Sequence, residues 1–339
     1  MTTVTIHGMT LPPTSPLVFV HLLSGPDHRL GALHWRCEPG RPQALMPWLQ
    51  APALAALAAA LPCLWDARDV ADWPAELDLA LQAAGQQVLA TPVTVRQAGE
   101  PWPAGATWVA GDWYTARPSK PNVAQAASRQ RAMQLLQMVN ADADTHELEE
   151  VFRHDAALSY QLLRLVNTVS AGHRREITSF GQAILLLGRQ QLKRWLNLLL
   201  FAARDDDERS AMLMAHVSLR ARGMELLAQA AGQDRATQDQ AFMTGMLSML
   251  GVLFGQPLVD MLRTIRVPEA LHTALVDRGG ELGALLGAWE AVERGEPAPL
   301  LEHLARLTIE PPAFNALLLD ACGWMLQLTR GTPGDGAPA

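Results

Sequence analysis

The adjacent pair His154-Asp155 is the first place where residue types could do chemistry. An imidazole and a carboxylate side by side can give two ligands to a water-activating metal, but such a site needs further ligands converging on it. Asp155 also stands where it would cap a helix opening at Ala156, accepting from the orphan amides of Ala157 or Leu158. We read it as a cap. The ten histidines form no HxxxH, HxH or HExxH spacing. His146 and His154 are separated by an expected cap, and His173 falls in a basic turn. The densest positive feature is Arg174, Arg175, Arg189, Lys193 and Arg194, beside Trp195. Arg189 and Lys193 are four apart and share a helix face. The cluster is an anion or partner site, or a solvated face balancing Asp205–Glu208. Cys37, Cys63 and Cys322 form no CxxC pair and carry no nucleophile signature. Phosphate-cradling glycine loops and a GxSxG elbow are absent.

The elements that must position these residues change character near residue 118. Seven of the ten tryptophans precede it, and the prolines crowd there too; the remainder is rich in Leu, Ala and Met. The 339 residues suggest about two domains. With 49% hydrophobic and 18% charged residues, most of the chain can bury a core. The net charge of −7 argues against non-specific DNA binding. The N-terminus lacks the basic and apolar regions of a signal peptide, and no stretch reaches the roughly 20 apolar residues of a membrane span. These features, with the cysteine usage, point to a cytoplasmic protein.

The first part reads as α/β. Val18–Leu23 and Ala32–Cys37 are strands around the turn Ser24-Gly-Pro-Asp-His28. Helix is expected at 52–60 and 75–84, and strand at 61–65, 87–90 and 107–110. The second part reads as helical throughout. A capping box at Asp144 and Glu147 opens one helix, and Ser179 with Gln182 repeats the pattern. Longer helices are expected at 123–139, 210–231, 238–254, 281–293 and 312–329. The Gly/Pro-rich tail 331–339 reads as disordered.

Residues 155–203 resemble the HDOD domain, a degenerate relative of the HD and HD-GYP phosphohydrolases. The matching text is Asp155–Asn167, Arg175-Glu-Ile-Thr-Ser179, Ala183-Ile-Leu-Leu-Leu-Gly188 and Leu192-Lys-Arg-Trp195, continuing into Gln240–Leu250. In the enzymes, the last of these segments reads roughly GLLHD and supplies a metal-binding His-Asp. Here it is Gly245-Met-Leu-Ser-Met249, so Ser248 and Met249 stand at the ligand positions. A hydroxyl and a thioether cannot replace an imidazole and a carboxylate on a hard hydrolytic metal. His216 falls where the upstream metal histidine lies. The resemblance therefore implies the fold without the hydrolase, and with no metal or cofactor.

Gly111–Pro121 looks like the end of an EAL domain, which makes the chain similar to EAL–HDOD signalling proteins. The Glu-x-Leu signature and the paired aspartates are missing. The resemblance thus implies an α+β chain of several domains: residues 1–117 a shortened, inactive EAL-like remnant, residues 118–330 an all-α HDOD domain. The expected role is non-catalytic regulation. The partner is a signalling protein, met through Arg175, Arg189, Lys193, Arg194 and Trp195. Trp195 equally fits an apolar stripe with Leu196 and Leu199. The alternatives are a cyclic-dinucleotide receptor, gripping phosphate with Arg174, Arg175 and Arg189 and stacking a base on an N-terminal tryptophan, and a residual metal-dependent phosphohydrolase.

Overall fold

The computed structural model describes residues 4–6, 9–11, 16–38, 45–66, 75–89, 91–116, 123–144, 147–148, 188, 191–194, 196–198, 207–264 and 267–330. The expected caps at Asp155 and Ser179, the pair His154-Asp155, the 117–121 segment and the tail lie outside these residues.

A short hairpin of β1 (Val4–Ile6) and β2 (Met9–Leu11) precedes a six-stranded mixed sheet. The sheet is built on the antiparallel pair β3 (Val18–Ser24) and β4 (Leu30–Cys37), joined by the expected turn. His28 occupies that turn with φ 61°. From β4 the chain runs through helices α1 (Met46–Leu49) and α2 (Pro52–Ala60) to β5 (Cys63–Asp66), then through α3 (Ala75–Ala83) to β6 (Gln87–Leu89). These two crossovers make β4, β5 and β6 parallel. On the other side, β8 (Val109–Ala110) pairs antiparallel with β3 and parallel with β7 (Thr94–Val95). The order is β6-β5-β4-β3-β8-β7, with β6 and β7 as edges.

The strand β3 reads Val-Phe-Val-His-Leu-Leu-Ser, almost unbroken apolar residues, because both faces of the sheet are covered. Leu23 joins Ala32 and Leu64 on one face. The other face packs into the main core. There Trp35, Trp48 and Trp65 meet edge-on and stacked, with centroids 5.3 to 6.4 Å apart. Three of the early tryptophans are thus core, and Trp65 Nε1 donates to Gln86 Oε1.

The helical part comprises α4 (Val123–Asn140), α5 (Ser210–Ala230), α6 (Arg235–Leu247), α7 (Leu250–Phe254), α8 (Leu258–Thr264), α9 (Glu269–Asp277), α10 (Gly280–Arg294), α11 (Pro297–Arg306) and α12 (Pro311–Arg330). Asp234 caps α6, its side chain accepting from Thr237 N at 2.8 Å. The single helix expected at 238–254 is instead two. The chain departs from helical geometry at Met249 (φ −99°, ψ 2°), and this break presents Ser248. The helix α5 lies at the centre, packed by α6, α10 and α12, and is buried along nearly its whole length. Glycines permit that closeness: a Cβ at Gly223 would lie 1.9 Å from the Trp289 ring, and one at Gly245 2.7 Å from the Ala221 Cα.

The sheet and the helices share one continuous apolar core. Asn315 on α12 stitches them together. Its Oδ1 accepts from Val18 N at 3.0 Å and its Nδ2 donates to the Pro16 carbonyl at 2.8 Å. No described helix is long and apolar enough to cross a membrane.

Candidate functional site

His216 and Arg220 are four residues apart on α5, so they project from one face. Three other elements converge on them. The last turn of α10 brings Glu293, the break after α6 brings Ser248, and the 3-10 turn Trp113–Thr115 brings Tyr114.

Arg220 is the hub. Its Nε donates to Glu293 Oε1 at 2.8 Å and its Nη2 to Glu293 Oε2 at 2.6 Å, a two-pronged pairing that the planar guanidinium suits. Its Nη1 donates to Ser248 Oγ at 2.7 Å, and the Ser248 hydroxyl donates onward to the Gly245 carbonyl at 2.7 Å. Burial opposes the Glu293 charge, but Arg220 and His216 outweigh it and hold this carboxyl far below the usual range. Burial, together with the charges of Asp112 and Glu293, pushes the Tyr114 phenol well above its ordinary value. Tyr114 therefore keeps its proton, and its hydroxyl meets His216 Nδ1 at 3.1 Å. His216 Nε2 faces Glu293 Oε1 at 3.1 Å. Arg220 Nη2 approaches the same nitrogen at 3.2 Å.

The arrangement does not fit a hydrolytic metal. His216 and Glu293 are the metal-type ligands in it, both lie against the Arg220 guanidinium, and such a site needs three protein ligands and an open position. Among the described residues, no group of three or more His, Cys, Asp or Glu could hold a metal ion. Of the three positions singled out by the resemblance, His216 and Ser248 are brought together, through Arg220. Met249 is not, since it packs into the apolar core.

The basic cluster fares differently. Arg174, Arg175, Arg189 and Trp195 lie outside the described residues. Lys193 is half-buried, and its carbonyl accepts from Asn197 Nδ2 at 2.7 Å. Arg194, expected as a contact residue, is turned inward. It is 9% exposed, lies 3.7 Å over the Phe242 ring, and grips Glu225 with both terminal nitrogens. The aliphatic-rich surroundings of α5 and α6 draw it inward because Glu225, 1% exposed, supplies the opposite charge. Of the acidic run, Asp207 holds Arg209, and Glu208 meets Arg96 and His28.

Comparison with known proteins completes the picture. Residues 125–266 match the family model of the HDOD domain. That interval contains His216, Arg220 and Ser248, whereas Tyr114 and Glu293 close the cluster from outside it. The chain is 30% identical over 201 residues to the cyclic di-GMP phosphodiesterase CdgJ of Vibrio cholerae, covering 59% of this chain and 46% of that protein. It is 25% identical over 146 residues to the uncharacterized protein YuxH of Bacillus subtilis, covering 42% and 35%. The chain thus spans less than half the length of these curated relatives. A solved Shewanella amazonensis structure, provisionally named a phosphohydrolase, aligns at TM-score 0.43 and 15% identity, covering 62% of this chain and 98% of that one.

The sequence singles out His216 and Ser248 as lost metal positions and does not single out Arg220 and Glu293 beside them. The i, i+4 spacing of His216 and Arg220 was available as a signal. Glu293 lies 73 residues from Arg220 and gives none.

Proposed function

We propose that this chain is a non-catalytic bacterial signalling protein. Its HDOD helices serve as a docking platform for a protein partner, in a cytoplasmic pathway linked to cyclic di-GMP. The observation that carries this reading is Arg220, a permanent cation held between His216, Glu293 and Ser248. A guanidinium supplies positive charge and fixed hydrogen bonds but has no open coordination position, so it generates no hydroxide nucleophile. The matched HDOD interval and two bacterial relatives, one named a cyclic di-GMP phosphodiesterase, support the signalling context. Three buried free thiols sit well with a reducing compartment.

We read residues 1–117 as a shortened EAL-type remnant. The parallel run β4-β5-β6 with intervening helices is the feature that favours it.

The test is to purify the full chain, analyse it for bound metal, and incubate it with cyclic di-GMP in Mg²⁺ and in Mn²⁺. Neither turnover nor stoichiometric metal is expected. Hydrolysis that disappears in His216→Ala would overturn the reading.

A further inference from the structure

A second buried arginine lies at the seam between the sheet and the start of α5, and its hydrogen bonds do not close. Arg96, 4% exposed, follows β7 and stacks with its guanidinium carbon 4.4 Å over the Trp113 ring. Its Nε donates to the Glu100 carbonyl at 3.0 Å and its Nη2 to Glu208 Oε2 at 3.3 Å. Its Nη1 is buried with no acceptor, and so is the indole Nε1 of Trp113. Buried donors in folded proteins are nearly always paired, and a charged one left open is costly. Two open donors in one cluster call for an acceptor from outside the chain.

Glu208 indicates which acceptor. Its Oε2 lies 3.2 Å from His28 Nδ1 and 3.3 Å from Arg96 Nη2, yet the side chain is 47% exposed. It is a small oxyanion supplied by the chain itself, with one side open to water. The His28 ring lies 5.5 Å from Trp113 and 5.9 Å from Trp102, so an aromatic wall lines the approach.

We propose that Arg96, Trp113 and His28 form a binding site for a phosphoryl oxyanion, which Glu208 keeps closed. This stands independently of the docking platform and of the Arg174–Arg189 cluster. The phosphoryl group takes the place of the Glu208 carboxylate and accepts from Arg96, whose fork suits phosphate. A base attached to that phosphate would lie against Trp102 and His28.

The experiment is isothermal titration of the full chain, wild type and Glu208→Gln, with inorganic phosphate, GMP and guanosine in separate runs. Removing the competing carboxylate is expected to tighten phosphate binding by about tenfold, the worth of one charge-assisted hydrogen bond. Equal affinities for phosphate and GMP identify free phosphate as the ligand; tighter GMP identifies a nucleotide. In the second case, Glu208→Gln with His28→Asn should lose the preference for GMP while keeping phosphate. Asn tolerates the left-handed backbone there, at φ 61°. If Glu208→Gln keeps a native circular dichroism spectrum and binds neither phosphate nor GMP, or binds guanosine as well as GMP, the proposal fails.

Discussion

Arg220 and Arg96 are both buried arginines that meet a glutamate, and they differ in how the pairing is finished. At the helical centre, Arg220 spends every terminal nitrogen, and its partner Glu293 is itself largely buried. At the seam, Arg96 leaves one nitrogen open and its partner Glu208 faces water. The first arrangement resists change, because removing either member strands a charge in a low-dielectric interior. The second can exchange its partner. A buried cation with a closed network is structural; one with an open valence and a half-exposed partner is placed to bind.

That contrast can be broken at its strongest point first. Arg220→Met should destabilise the fold by about 3–5 kcal/mol in urea denaturation, because Glu293 is left unpaired. Arg220→Met combined with Glu293→Met should recover much of the loss. Arg96→Met should cost only about 1 kcal/mol, since Glu208 is returned to water. Equal losses for the two single variants would erase the distinction drawn here.

Packing around the centre gives the next largest effect. Gly223→Ala drives a methyl into Trp289 and should cost about 1–3 kcal/mol, read as a lowered melting temperature. Tyr114→Phe removes one hydrogen bond to His216 and should cost about 1 kcal/mol.

Acid sharpens the comparison most finely. The Glu293 carboxyl lies below its unfolded value, so its contribution is fully present above about pH 4.3 and is lost as pH falls toward the folded value. Urea midpoints between pH 7 and pH 3 should therefore fall less steeply in Glu293→Gln than in the wild type.

Much of the framework was legible in the sequence, for local reasons. The β3–β4 hairpin, α2 and α3 were visible because apolar runs and turn residues lie within a few positions of one another. The ends of α5 and α10 followed from periodicity to within a residue or so. The break at Met249 was hidden, since Gly245–Leu250 carries no proline and reads as continuous helix. The short strands β1, β2 and β7 and the helices α8, α9 and α11 were also not anticipated. The two arginine sites were less legible still. Arg96 and Glu208 are 112 residues apart, and Arg194 and Glu225 are 31 apart. A charged residue that will be buried looks, in sequence, like one that will be solvated; only its distant partner decides.

The stitch made by Asn315 sets an order in time. The strand β3 begins at residues whose backbone groups are completed by a side chain 297 to 299 positions later. On a ribosome adding roughly 5–20 residues per second, the start of β3 would wait on the order of tens of seconds for that partner. The sheet can form its internal ladder early, but the start of β3 stays unfinished until α12 emerges. The start of β3 is thus fastened only after α12 has been made.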